Sequence, residues 1–246
     1  MIRQFYFAVR VVALTAVFFW SDAVFASDFN VSPILVNLST ASATAALEVE
    51  NNGNDAVVIQ SEVKSWSQEN GTSSYQPTTD ILATPPIFTV PAHGKQIVRM
   101  GMRRTVDPKT ELAYRLFLQE VPPPPQPGFK GVQVRLRLGV PVFIAPAVSA
   151  QPVPKWSATQ DADGLIKLTL LNQGNAHIQI SDFVLKVAGN ATPLVKQDIP
   201  FTILAGSGQS WILKPDPKVL INEGRIQVQA FSTVGRFDAE IELGRP

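Results

Sequence analysis

The stretch Gly131-Val132-Gln133-Val134-Arg135-Leu136-Arg137-Leu138-Gly139-Val140-Pro141-Val142-Phe143 decides how this chain is read. Successive side chains of a strand point to opposite faces. As a strand it therefore places Val132, Val134, Leu136, Leu138 and Val140 on one face, and Gln133, Arg135, Arg137 and Gly139 on the other. Taken alone, such a segment is a half-buried strand packed on its own core. Two features point further. Pro141 has no N–H to give to a ladder, which predicts an unpaired edge nearby. Arg135 and Arg137 share the polar face, where they can gather an anion. A long alternating edge invites pairing, and a protein that displays one can be using it to bind another chain.

The same alternation recurs on both sides of this stretch. It is found from Ala45 to Val49, Val57 to Val63, Gln96 to Met100, Leu165 to Leu170 and Arg225 to Gln229. Turn signals separate these runs: Asn51-Asn52-Gly53-Asn54, Glu69-Asn70-Gly71, His93-Gly94, Asp161-Ala162-Asp163-Gly164, Asn172-Gln173-Gly174-Asn175 and Gly206-Ser207-Gly208. No sustained helical period appears, and 20 prolines interrupt any helix interior. Many short strands at this spacing predict an all-β chain of sandwiches or barrels. Residues 145–154, Ala-Pro-Ala-Val-Ser-Ala-Gln-Pro-Val-Pro, have linker composition. They divide the chain into segments of about 120 and about 95 residues, each a common size for an immunoglobulin-like sandwich. The predicted domains are 27–146 and 147–246. The prolines at 122–125 and 127 read as a stiff connecting loop, not a polyproline recognition peptide, because strands flank them.

Residues 1–26 have the pattern of a secretory signal peptide. Arg3 and Arg10 form a positive start, Val11 to Trp20 is almost wholly apolar, and Val24 and Ala26 are small residues before a cleavage point at Ser27. The apolar run is shorter than the ~20 residues of a membrane span. Of the 246 residues, removal of these 26 leaves 220, with no membrane insertion expected. Arg3 and Arg10 against Asp22 give the segment a net +1, so its loss takes the chain from +1 to 0. A neutral chain lacks the broad positive field of a nucleic-acid binder.

Catalytic chemistry is hard to find. The absence of cysteine excludes a disulfide scaffold, a thiolate metal site and a thiol nucleophile. His93 and His177 belong to no His-x-x-x-His pair or acidic cluster, so neither a metal nor a cofactor is expected. Nucleophile-elbow, P-loop and dinucleotide fingerprints are missing. Gly206-Ser207-Gly208 reads as a hairpin turn, not a phosphate cradle. Sequons at Asn30, Asn37, Asn70 and Asn190 matter only where secreted proteins are glycosylated. The chain is not expected to be an enzyme.

A family resemblance rests on five segments. They are Phe29-Asn30-Val31-Ser32-Pro33-Ile34; residues 46–53, Ala-Leu-Glu-Val-Glu-Asn-Asn-Gly; residues 84–99, Thr-Pro-Pro-Ile-Phe-Thr-Val-Pro-Ala-His-Gly-Lys-Gln-Ile-Val-Arg; residues 114–122, Tyr-Arg-Leu-Phe-Leu-Gln-Glu-Val-Pro; and the opening stretch. Together they resemble the periplasmic pilus-assembly chaperones of the chaperone–usher pathway, the PapD-like family. The run 114–122 and the Pro-Val-Phe ending at Phe143 are most similar to its archaic, Csu-type branch. The resemblance spans the signal peptide and most of the first domain; the second domain matches in size and strand pattern.

That resemblance implies two immunoglobulin-like β-sandwich domains set at an angle. It implies a periplasmic location, pilin subunits as partners, and an outer-membrane usher that receives them. Its mode is donor-strand complementation, the strand addition known for chaperone–pilin pairs. Alternate apolar side chains of the seventh strand fill the groove of an incomplete subunit, a role that falls here on Val132, Val134, Leu136, Leu138 and Val140. The usual family pattern also anchors the subunit's C-terminal carboxylate with an Arg in the first strand and a Lys late in the seventh. Leu35 and Gly139 stand at those places, so that anchor does not carry over. Arg115, then Arg137 and Arg135, are the candidates to replace it; a bidentate guanidinium suits a carboxylate. Arg99, Arg103 and Arg104 read as a solvated strand end. Two other readings stay open: a secreted two-sandwich binding or adhesion module, and a hydrolase with a dispersed site. Aromatics gathered on one face would favour the module, but Trp20, Trp66, Trp156 and Trp211 are scattered in the sequence.

Overall fold

The structure, a computed structural model, describes residues 29–122, 134–190, 192–198, 200–217, 224–233 and 235–244. Among them the regular elements are all strands, and no helix is long and apolar enough to cross a membrane. The first ten are β1 (Phe29–Ser32), β2 (Val36–Leu38), β3 (Thr44–Asn51), β4 (Val57–Glu69), β5 (Thr72–Pro77), β6 (Ile81–Thr84), β7 (Ile87–Val90), β8 (Lys95–Met102), β9 (Leu112–Glu120) and β10 (Arg137–Ile144). The remaining eight are β11 (Pro154–Gln160), β12 (Ile166–Asn172), β13 (Ile178–Val187), β14 (Pro193–Gln197), β15 (Phe201–Ile203), β16 (Gly208–Leu213), β17 (Arg225–Ser232) and β18 (Gly235–Gly244).

Strands β1 to β10 form two facing sheets, ordered β1-β3-β8-β6 and β2-β10-β9-β4-β5, with β7 beside the start of β4. The period-two patterns set which residues face inward. In β4, Val57, Ile59, Ser61 and Val63 are buried; in β8, Val98 and Met100; in β9, Tyr114, Leu116 and Leu118. They meet in one core with Phe29, Leu47, Val90, Val142 and Ile144. Between β6 and β7 the chain changes sheets at Pro85-Pro86, and buried Ser61 holds that switch. Its N–H donates to the Pro86 carbonyl at 2.8 Å and its hydroxyl to the Pro85 carbonyl at 2.9 Å.

Strands β11 to β18 build a second sandwich. β16, β12 and β11 lie together, β14, β13, β17 and β18 lie together, and the end of β18 joins β11 in parallel. Its core gathers Trp156, Ile166, Leu168, Ile180, Phe183, Leu185 and Val228. Trp156 and Trp211, distant in sequence, come within 6.3 Å here around Phe183. These aromatics fill a core instead of forming a binding face.

One device is used twice. Asn51 ends β3 and Asn172 ends β12, and each is fully buried. The Asn51 amide donates to the carbonyls of Asp55, Val90 and Pro91, and its Oδ1 accepts the Gly53 N–H. The Asn172 amide donates to the carbonyls of Ala176 and Leu204, and its Oδ1 accepts from Val153 and Gly174. A buried amide with every group satisfied fixes the loops around it. Both begin turns of the form Asn-x-Gly-Asn. Gly206-Ser207-Gly208 departs from expectation. It carries the chain from β15, which pairs with β13, to β16, which pairs with β12, so it crosses between sheets instead of closing a hairpin.

The two sandwiches touch through a small third cluster of Trp66, Phe143 and Leu204, with Leu35, Tyr75 and Ala113 against it. The His177 ring stacks on Phe143 at 3.7 Å, its planes 5° apart, and its Nδ1 lies 2.7 Å from Glu111 Oε1. The Gln68 amide donates to the Thr202 carbonyl and accepts the Leu204 N–H.

Candidate functional site

β10 runs beside β9 along its whole length, from Arg137 opposite Gln119 to Ile144 opposite Leu112. On its other flank β2 joins only at Val142, Phe143 and Ile144. Among the described residues, Arg137 to Pro141 thus pair on one flank alone. The unpaired edge expected near Pro141 is there, and the proline stands just before β2 begins. A proline N cannot donate to a ladder, so pairing can resume only beyond it.

The strand starts later than Val132, the first residue of the predicted apolar row. Residues 134–136 are described but lie outside any strand, and Val132 lies outside the described residues. The cause is β9, which ends at Glu120 before Val121-Pro122. The Val121 N–H turns to the Val58 carbonyl at 2.8 Å, and Pro122 has none to offer. Leu136 is still tied to the end of β9: its carbonyl accepts the Glu120 N–H at 3.0 Å and its N–H donates to Glu120 Oε2 at 3.3 Å.

The inward row climbs out of the core along this edge. Val140 is 4% exposed and sits among the core residues. Leu138 and Leu136 are half-buried and pack against the same core from its rim. Val134 is 66% exposed.

The outer face carries cations on aromatic rings. The Arg115 guanidinium lies 4.3 Å over Trp66 and 5.8 Å from Tyr75. Arg137 lies 3.9 Å over Phe117, and Tyr75 meets Phe117 edge-on at 5.2 Å. Arg135 is exposed. Among the described residues none of these three arginines has an acidic partner within ion-pair distance. Arg115 Nε is buried without a hydrogen-bond partner. Stacking holds a guanidinium by its face and leaves its in-plane N–H groups for an anion. Leu35, where the resemblance puts the usual arginine, packs against the Trp66–Phe143–Leu204 cluster.

Arg104 lies exposed just beyond the end of β8, and there it holds an ion pair: its Nη1 donates to Asp80 Oδ2 at 2.9 Å, and the buried Tyr114 hydroxyl donates to the same oxygen at 2.7 Å. Burial alone would raise the Asp80 carboxyl. The Tyr114 and Arg104 hydrogen bonds and the Arg104 charge outweigh it and hold Asp80 below its ordinary range. Burial, then the Asp80 partner, pushes the Tyr114 hydroxyl well up. Trp66 was missed as a site residue, although its sequence position carries a signal. It lies out of phase with the inward row Val57, Ile59, Ser61, Val63, a large aromatic on the polar side of a strand. No group of three or more His, Asp or Glu among the described residues is placed to hold a metal ion.

Two sandwiches in tandem, the first with a strand paired on one flank, define a two-domain immunoglobulin-like β-protein. Residues 28–149 match the family model described as pili and flagellar-assembly chaperone, PapD N-terminal domain. Residues 28–149 thus belong to the PapD-like family of pilus-assembly chaperones. Solved structures share the fold at low identity. The CsuC–CsuE chaperone–tip adhesion subunit pre-assembly complex from archaic Csu pili of Acinetobacter baumannii matches with TM-score 0.64 and 18% identity, over 89% of this chain and 99% of that one. The Salmonella enterica SafA pilin–SafB chaperone complex gives 0.61 and 16%, over 88% and 98%. The E. coli chaperone DraB gives 0.57 and 20%, over 87% and 98%. No curated protein matches the sequence.

Proposed function

We propose that the chain is a periplasmic chaperone that captures pilin subunits, completes their unfinished sandwich with its own strand edge, and passes them to an outer-membrane usher. Residues 1–26 direct it there, and 27–146 and 147–246 are the two domains of the mature protein. The observation that carries this reading is the one-sided pairing of β10 from Arg137 to Pro141. Main-chain groups on the open flank give pairing that any subunit can use. Leu136 and Leu138, half covered, have apolar surface left to give; burying a Leu fully is worth roughly 1.5–3 kcal/mol. Val134, and Val132 before it, extend the same row. Val140, already in the core, lends its backbone edge more than its side chain. Arg115 takes the subunit's C-terminal carboxylate, with Arg137 and then Arg135 beside it. The family match supports this, as do solved structures of the same fold described as complexes with a pilin and with a tip adhesion subunit. The function is binding alone and needs no cofactor.

The test is co-expression with a pilin subunit encoded beside this chain. The unaltered chain is expected to give a soluble one-to-one complex. Leu136→Asp is expected to abolish it while the free protein keeps its strand circular dichroism. A complex that survives this change overturns the donor assignment.

A further inference from the structure

We propose that Gly139 is a positioning residue for Arg115: by omitting a side chain, β10 leaves the arginine room to lie across the outer face with its guanidinium on Trp66. The inference rests on reading Arg115 as the carboxylate grip. Gly139 stands opposite Phe117 and Arg115 opposite Pro141, so the two are diagonal neighbours on one face. A Cβ at 139 would lie 2.9 Å from Arg115 Cδ, 3.4 Å from its Cγ and 3.3 Å from Phe117 Cε1. Carbon atoms pack best at about 3.5–4.0 Å. Cδ is the middle of the stem, between Cγ and the buried Nε, and cannot yield without carrying the guanidinium along.

The backbone gives no other reason for a glycine here. Gly139 lies inside a regular strand and its φ is outside the left-handed region. Glycine weakens a strand interior, and one found there often marks a bulge, a bend or a close approach; at Gly139 it is a close approach. Gly101, inside β8, is a useful contrast: a Cβ there would meet nothing within 4 Å. The clearance and the cation therefore sit on adjacent strands as one device. β9 carries the charge, and β10 carries the space in which that charge is aimed.

The probe is the pilin subunit encoded beside this chain, made with its native C-terminus and with two glycines added to displace the carboxylate. The unaltered chain is expected to capture the native subunit at least about tenfold better than the extended one. Gly139→Ala is expected to lose most of that preference, as Arg115→Ala does, while both keep the weaker binding that ignores the carboxylate. In an Arg115→Ala background, Gly139→Ala should change the preference no further. In the free chain, Gly139→Ala should shift the Arg115 Nε–H resonance. If the unaltered chain shows no preference, the Arg115 grip fails and this inference with it. If the preference is present and Gly139→Ala retains it with the Nε–H unmoved, the positioning role alone is overturned. Equal losses from Gly139→Ala with and without Arg115 overturn it too, because a merely structural glycine behaves that way.

Discussion

β10 and β18 close their sandwiches in the same manner. Each pairs antiparallel with the strand before it, and among the described residues each is met on its other flank only at its end: β10 by β2 from Val142, β18 by β11 at Leu243 and Gly244. Each turns a half-covered apolar row toward its core, Leu138 with Leu136 just ahead of the strand in one case and Phe237, Ala239 and Ile241 in the other. Their outward side chains differ. β18 presents Arg236, Asp238, Glu240 and Glu242, and the first three are matched at home, Arg236 with Asp238 at 2.7 Å and Glu240 with Arg225 at 3.5 Å. The outer face at β10 presents arginines stacked on rings with no acidic partner among the described residues. Both edges are open, so openness alone does not make a binding strand. Charged side chains at intervals guard an edge against pairing, whereas unmatched cations invite one kind of partner.

The comparison breaks most readily at the apolar rows. Leu138→Asp in β10 is expected to weaken subunit capture by roughly ten- to a hundredfold, the range for one lost Leu contact. Ile241→Asp in β18 should leave capture unchanged; pull-down with the co-expressed subunit reads both. A comparable loss from Ile241→Asp would erase the distinction between the edges. Of intermediate size is the effect of charge. Arg115→Ala should reduce capture about tenfold, less at high salt, the usual scale of a charge-assisted hydrogen bond. Arg104→Ala, bound to Asp80, and Arg236→Ala, bound to Asp238, should do much less. Equal effects in a titration of complex formation would mean that the wrong arginine has been chosen.

Acid gives the smallest and slowest contrast. Asp80 is held below its ordinary range, and so is Asp107, by the Lys109 and Thr110 N–H groups. A depressed carboxyl stabilises the fold fully above its unfolded pKa of about 4 and loses that contribution as pH falls through its folded value. Both residues lie in the first sandwich. That sandwich should lose stability on acidification below about pH 4 more steeply than the second, and Asp80→Asn should flatten part of the slope. Thermal unfolding followed at pH 7 and pH 3 would show it; an unchanged slope removes the Asp80 contribution.

Much of the fold was legible because strand periodicity is local. The rows in β3, β4, β8, β12 and β17 could be read from every second residue, and the turns from their Asn and Gly. The ion pair of Arg104 and the crossing at Gly206-Ser207-Gly208 were not legible for one reason: their partners, Asp80 and the β12 strand, are distant in sequence. The late start of β10 was hidden as well, since it depends on where β9 runs into Val121-Pro122. Trp66 shows a signal that was present but unused.

Alternation of apolar and polar residues and proline placement settled by themselves that this is an all-β chain of short strands, because side-chain direction in a strand follows from covalent geometry. Which flank of β10 stays open and which arginines lack acids among the described residues, and why position 139 holds a glycine, were decided only when β2, β4 and β9 came together. Those are matters of pairing and clearance between residues far apart in the chain, and no local pattern encodes them.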